Sequence, residues 1–216
     1  MQIMINDVVL GSLRKGIFKW GINNYKNYPW RQTSNLWHAL VAEIMLQRTN
    51  ADQVKPVYLE FIENYEFPYS YLSDQSSNVF ENLGLRWREE VLKNLAIELT
   101  NLGFIPEEKL ALLNLPGVGN YIAAAYRSLH LNIPDTIIDS NVVRLYGRLF
   151  GFKTTPETRR KKWFIELAEK MTPDNDHRNY NYGLIDLTRE VCKYKPECEV
   201  CPLQSECEYY KTQVTN

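Results

Sequence analysis

The sequence contains no run of about 18 apolar residues, which excludes a membrane-spanning helix read from hydropathy. It carries almost no net charge, with 25 basic residues against 26 acidic ones. Non-specific affinity for nucleic acid comes from Lys and Arg meeting phosphates, but a local patch suffices in a balanced chain, so composition neither proves nor excludes such a partner. Glycine and proline are sparse at 10 each, and 44% of the residues are apolar, so the chain reads as globular with no disordered tail. At 216 residues it has length for one large domain or two small lobes. No segment alternates as a strand, no internal repeat is present, and the expected class is all-α. The first ten residues carry Asp7 and no basic n-region, so no signal peptide is expected and a cytoplasmic protein is. Cysteine is absent until position 192.

What is present is helical periodicity. Val8, Val9, Leu13, Ile17, Trp20 and Ile22 have helical spacing. Tyr28-Pro29-Trp30-Arg31 reads as an extended aromatic and basic loop. Ser34 or Asn35 is positioned to cap a helix whose buried face is Leu36, Leu40, Ile44 and Met45. Val54, Val57, Tyr58, Phe61, Ile62 and Tyr65 mark an amphipathic helix ended by Phe67-Pro68. A short helix near 78–83 precedes one with Val91, Leu92, Leu95, Ala96 and Leu99 inward, stopped by Gly103. Leu110, Leu112 and Leu113 then lead into Leu115-Pro116-Gly117-Val118-Gly119-Asn120-Tyr121, followed by a helix to about Leu131. A Pro-Gly-x-Gly turn between helices needs glycine's positive φ and lets a phosphate approach the amides at the second helix's N-terminus. By itself it also fits a plain helix–turn–helix connection. Val142, Val143, Leu145, Tyr146 and Leu149 form the next helix, Arg159 to Lys162 reads as a solvated face, and a last long helix runs from Tyr182 to Val191.

Cys192, Cys198, Cys201 and Cys207 follow, spaced C-x5-C-x2-C-x5-C. Four thiols in one loop of a reducing compartment indicate metal ligation rather than disulfides. Structural four-thiolate zinc usually shows two C-x2-C pairs, and only one is present, so the spacing leans to a cubane iron–sulfur cluster while zinc stays open. Lys193 and Lys195 on the same loop can face a phosphate.

Two carboxylates stand out. Asp139 opens a helix and reads either as an N-cap or as a functional anion. Glu43 lies inside Leu40-Val41-Ala42-Ile44-Met45, where desolvation should raise its pKa and suit it to hold a proton, unless it reaches water at the rim. An ionised and a protonated carboxyl together suit glycosidic cleavage through an oxocarbenium-like transition state.

The hairpin Leu115–Gly119, Asp139 eighteen residues beyond Tyr121, and the terminal cysteine loop together resemble the helix-hairpin-helix iron–sulfur DNA glycosylases of the endonuclease III superfamily. The resemblance spans Tyr28 to Tyr210. Tyr28–Arg31, Glu43–Gln47 and Ile138–Asn141 are similar to the branch that holds the adenine and thymine-mismatch glycosylases. One departure is the first cysteine spacing, five residues where the family usually has six.

The resemblance implies two helical lobes flanking a DNA-binding cleft: 27–135, containing the helix-hairpin-helix at about 107–131, and 1–26 with 136–216, containing the loop 192–207. It implies a 4Fe–4S cluster on the four cysteines and a hairpin that grips a phosphate through Leu115, Gly117, Val118 and Gly119, with a monovalent cation on its carbonyls. The partner would be double-stranded DNA with a mismatch, bound by a monomer associated with the nucleoid. Arg48, beside Gln47, matches the position that plugs the hole left by a flipped base, and Leu85 or Trp87 the opposing wedge. Members that also nick the strand hold a Schiff-base lysine where this chain has Tyr121, so a monofunctional enzyme is expected. In it, Asp139 stabilises positive charge at C1′, Glu43 handles the leaving base, Asn141 orients Asp139 or water, and Tyr121 packs on or hydrogen-bonds the flipped nucleotide. Leu85-Arg86 replaces the paired tyrosines of the adenine enzymes and Arg48 their second glutamine. The chain also ends nine residues after Cys207, without their domain for oxidised guanine. These departures favour thymine or uracil opposite guanine. The alternatives are adenine opposite guanine or 8-oxoguanine, and a non-catalytic DNA-binding iron–sulfur protein, against which the presence of both Asp139 and Glu43 weighs.

Overall fold

The computed structural model describes residues 5–74, 77–83 and 87–213, and these contain helices and turns but no strand. The chain divides into two compact units, Asn27–Leu131 and Met1–Lys26 with Asn132–Asn216.

In the contiguous unit, Tyr28–Arg31 is not extended. Pro29–Arg31 forms a 3-10 turn, because proline presets the first φ, and Trp30 turns inward to stack on Tyr28 at 4.7 Å. Helix α2 (Leu36–Met45) is capped by the Asn35 side chain, which accepts from the His38 amide at 3.1 Å. The expected single buried face is replaced by burial all round from Trp37 to Met45, while Leu36 is exposed in the first turn. A helix through the middle of a unit meets partners on every side. Helix α3 (Ala51–Asn64) buries Val54, Val57, Tyr58 and Phe61. Pro68 also starts a further helix, α4 (Pro68–Ser73), since proline fits a first helical turn. The short helix near 78–83 is a 3-10 turn at Glu81–Leu83. Helix α5 (Trp87–Leu102) turns Leu92, Leu95, Ala96 and Leu99 inward, with Val91 only half-buried.

The hairpin joins α6 (Lys109–Leu113) to α7 (Asn120–Ala125). Of the three leucines that mark α6, Leu112 is buried and Leu110 lies in solvent, as five residues present barely one turn to the core. After Ala125 the helix widens into a π-helical turn, Tyr126–His130, with the Leu131 amide donating to the Tyr126 carbonyl at 3.2 Å.

The second unit packs α1 (Asp7–Asn23), α8 (Ser140–Phe150), α9 (Lys162–Met171), α10 (His177–Glu190) and α11 (Glu208–Gln213). Helix α10 begins at His177, before the expected Tyr182. Leu13, Ile17, Leu145, Tyr146, Phe164, Met171, Tyr180 and Leu187 form its core. Helix α1 crosses α10 with backbone against backbone. A Cβ on Gly21 would stand 2.6 Å from the Gly183 Cα, and one on Gly183 would stand 2.8 Å from the Ile17 carbonyl oxygen. Arg14 donates to the carbonyls of Lys170, Met171 and Thr172, closing the C-terminus of α9. Arg159–Lys162 is exposed, as expected of a solvated face.

Candidate active site

Residues 114–119 turn the hairpin. Leu115 and Val118 are buried and tied by a Val118 amide to Leu115 carbonyl bond of 3.1 Å. Gly117 has φ +78, and a Cβ there would collide with Val91 Cγ1, so glycine is required twice over. Gly119 differs. Its φ is −96, which any residue adopts, and nothing lies within 4 Å of a Cβ built on it. Open space at the start of α7 is where an anion can approach the helix N-terminus. Tyr121, half-buried, stands in the first turn of α7.

Glu43 is 2% exposed on α2, so it does not reach water at the rim. Its Oε1 lies 2.9 Å from His130 Nε2, and both side chains are 3% exposed. Burial above all pushes the nearby Tyr58 phenol up to about 12, and the Glu43 charge adds to the rise. His130 stands outside the set expected from sequence. Nothing in the spacing shows that the helix after the hairpin widens, and that widening turns His130 toward α2.

The turn after α2 carries Gln47, half-buried, and Arg48, exposed at φ +57. An arginine in the left-handed region stores about 1–3 kcal/mol of backbone strain. Arg88 holds this turn from below. It is 1% exposed, its Nη1 donates to the Ile44 carbonyl at 3.0 Å, and its Nε has no hydrogen-bond partner. Burial lowers its pKa and the Arg48 charge lowers it further. Trp87 is exposed, with the Arg88 guanidinium 5.2 Å over its ring, and Leu85 lies outside the described residues.

In the other unit, Asp139 is the N-cap of α8. Its Oδ1 accepts from the Asn141 and Val142 amides at 2.8 and 2.7 Å, and its Oδ2 from Asn141 Nδ2 at 2.7 Å. The capping reading is therefore realised, and the same three donors fix where the carboxylate points. Asn141 in turn accepts from Arg144 Nη1 at 2.8 Å. Arg144 donates onward to the carbonyls of Thr188 and Cys192 at 2.8 and 2.9 Å. A continuous bonded path thus joins Asp139 to the start of the cysteine loop.

Cys192, Cys198, Cys201 and Cys207 are free thiols that line one pocket with Leu145, Leu149 and Leu203. Among the described residues, no group of His, Cys, Asp or Glu is set closely enough to be recognised as a metal site. Burial pushes the Cys198, Cys201 and Cys207 thiols up, Cys201 to about 11, and the neighbouring thiols push each of them further. Four thiols lining one pocket fit a donor set that bound cations hold deprotonated. Arg148 Nη1 lies 3.5 Å from Cys192 Sγ and also donates to the Lys193 carbonyl at 2.6 Å. Lys193 is occupied by Glu197 at 2.5 Å, while Lys195 is exposed.

No family model matches the chain. The thymine-DNA glycosylase of Aeropyrum pernix is 35% identical over 212 residues, covering 92% of this chain and 94% of that protein. The solved structure of a thermostable thymine-DNA glycosylase superposes with a TM-score of 0.88 at 32% identity, covering 95% of this chain and 98% of that one. An endonuclease III trapped as a covalent intermediate on DNA shares the fold, with a TM-score of 0.83 at 22% identity over 98% of this chain and all of that one. Identity of this degree along nearly the full length of both chains places this protein in the family of helix-hairpin-helix DNA glycosylases.

Proposed function

We propose that this chain is a monofunctional DNA glycosylase of base excision repair that hydrolyses the N-glycosidic bond of thymine or uracil opposite guanine in double-stranded DNA. The observation that carries the reaction type is Tyr121, which presents a phenol in the first turn of the helix after the hairpin, where a lyase needs an amine. Water then attacks C1′, and the oriented carboxylate of Asp139 stabilises the positive charge that develops there. Glu43 handles the proton that goes to the leaving base. The amides around Gly117 and Gly119 hold a phosphate, with a monovalent cation on the hairpin carbonyls, and Arg48 fills the space vacated by the flipped base.

The base is assigned from the relative at 35% identity, a thymine-DNA glycosylase, and from Arg48. A guanidinium in the vacated stack meets the acceptors of the orphan guanine. Uracil should leave faster than thymine, because it lacks the C5-methyl that the pocket has to fit.

The four cysteines would hold a 4Fe–4S cluster, which when bound supplies a covalent staple across the loop. Arg144 and Arg148 tie that loop to α8, and so to the helix that Asp139 caps.

A panel of duplexes with T, U or A opposite G, and A opposite oxidised G, tests the reading, with strand breaks revealed by alkali. Release of T and U only, no break before alkali and no borohydride-trapped adduct is the expected result. Adenine release with T·G and U·G intact would replace the base but not the reaction. A trapped adduct would overturn the monofunctional mechanism.

A further inference from the structure

The reaction proposed for this chain uses the carboxylate of the His130–Glu43 pair and leaves the imidazole without a role. Among the described residues this is the one hydrogen bond that the Glu43 side chain makes. Burying a carboxylate without a partner costs several kcal/mol, and burying a carboxylate with an imidazole gains little stability over an apolar pair of the same shape. Stability alone therefore does not account for the two polar groups.

The backbone adds an independent observation. Tyr126–His130 is π-helical, and such single-turn insertions are uncommon and concentrate at functional sites. One extra residue in the turn rotates the residues beyond it by about 100° relative to α-helical spacing. Here it turns His130 onto α2, 87 positions from its partner. The helical segment that carries Tyr121 in its first turn thus ends on Glu43.

We propose that His130 is a positioning residue for base release. It holds Glu43 through Oε1, so that Oε2 is presented to the reacting water and the departing base. Hydrolysis breaks the C1′–N bond with its electron pair going to the base, and forms a C1′–O bond to water. One water proton passes to Glu43 Oε2 and from there to the base nitrogen, so the pair returns to its starting state. Without the imidazole the carboxylate swings free and loses alignment for both transfers.

This role rests on the glycosylase reading, and the two fail differently. The experiment measures single-turnover uracil release from a G·U duplex, and affinity for the same duplex carrying a 2′-fluoro nucleotide that resists hydrolysis. His130→Leu is expected to lose about 10²-fold in rate with affinity within about 2-fold, and His130→Gln, which keeps an N–H donor, to recover most of that rate. His130→Leu turning over at the wild-type rate, or a folded His130→Gln as slow as His130→Leu, overturns the inference. Should His130→Leu not fold, imidazole 15N shifts decide. Glu43→Gln is expected to move those of His130 and leave His38 and His177 in place, and unmoved His130 shifts overturn the pair. A wild-type protein that releases no base at all would instead sink the glycosylase reading.

Discussion

The Asp139 carboxylate accepts from two amides of its own helix and from the Asn141 side chain, so capping and charge can be separated by substitution. Asp139→Asn keeps an acceptor for the helix amides, and Asn caps about as well as Asp, so stability should hold within about 0.5 kcal/mol. The rate of base release should nonetheless fall by about 10²–10⁴, the usual loss when a transition-state charge partner is removed. Asp139→Ala should add about 1 kcal/mol of lost stability on denaturant unfolding. Native turnover in Asp139→Asn would leave Asp139 a helix cap and nothing else. Arg48 poses the opposite case. At φ +57 its backbone suits glycine, so Arg48→Gly should gain up to about 1 kcal/mol, read as a higher Tm, while uracil release slows. A variant both less stable and fully active would remove the plug role from this residue.

At the level of elements, the two glycines of the hairpin are expected to behave differently. Gly117→Ala meets both a positive φ and the Val91 side chain, and should cost about 2 kcal/mol or more. Gly119→Ala meets neither, so its melting curve should match wild type, while its Cβ stands in the space where a phosphate approaches and weakens duplex binding. Equal affinity in Gly119→Ala would mean that the DNA backbone does not reach this turn. The hairpin, the long helices and the buried position of Glu43 are all legible in the chain, because glycine placement and the 3.6 period leave a local mark. Four features are not. Pro68 reads as a stop and is also a start. Leu36 and Leu110 keep the helical rhythm but sit where their helices meet solvent. The π-helical turn changes the direction of His130 without changing composition. Arg88 and Arg144 act on carbonyls 44 positions or more away, Ile44 for one and Thr188 and Cys192 for the other, and no local pattern announces such a bond.

For the whole molecule, the cysteine loop and α8 stand or fall together through Arg144 and Arg148. Cys201→Ser is expected to lose the brown colour and the broad absorption near ~400 nm of an iron–sulfur thiolate cluster. It should also lower Tm by about 10–20 °C, because a lost metal site ranks among the largest single-residue effects. Metal analysis of the wild type returning one zinc and no iron would refute the cluster. The crossing at Gly21 and Gly183 has a consequence of another kind, set by the ribosome. Helix α1 is made early, yet the groove it fits is completed only when α10 has been synthesised. About 160 residues of chain separate the two, roughly 10–30 s of translation. Through that interval the apolar stripe of Leu10, Leu13 and Ile17 lacks the α10 wall of its groove, while Asn27–Leu131, contiguous and closed on itself, can already fold. A nascent chain stalled before α10 emerges should show slow amide exchange across Asn27–Leu131 and fast exchange in α1. Early protection of α1 would mean that it first docks somewhere other than its final groove.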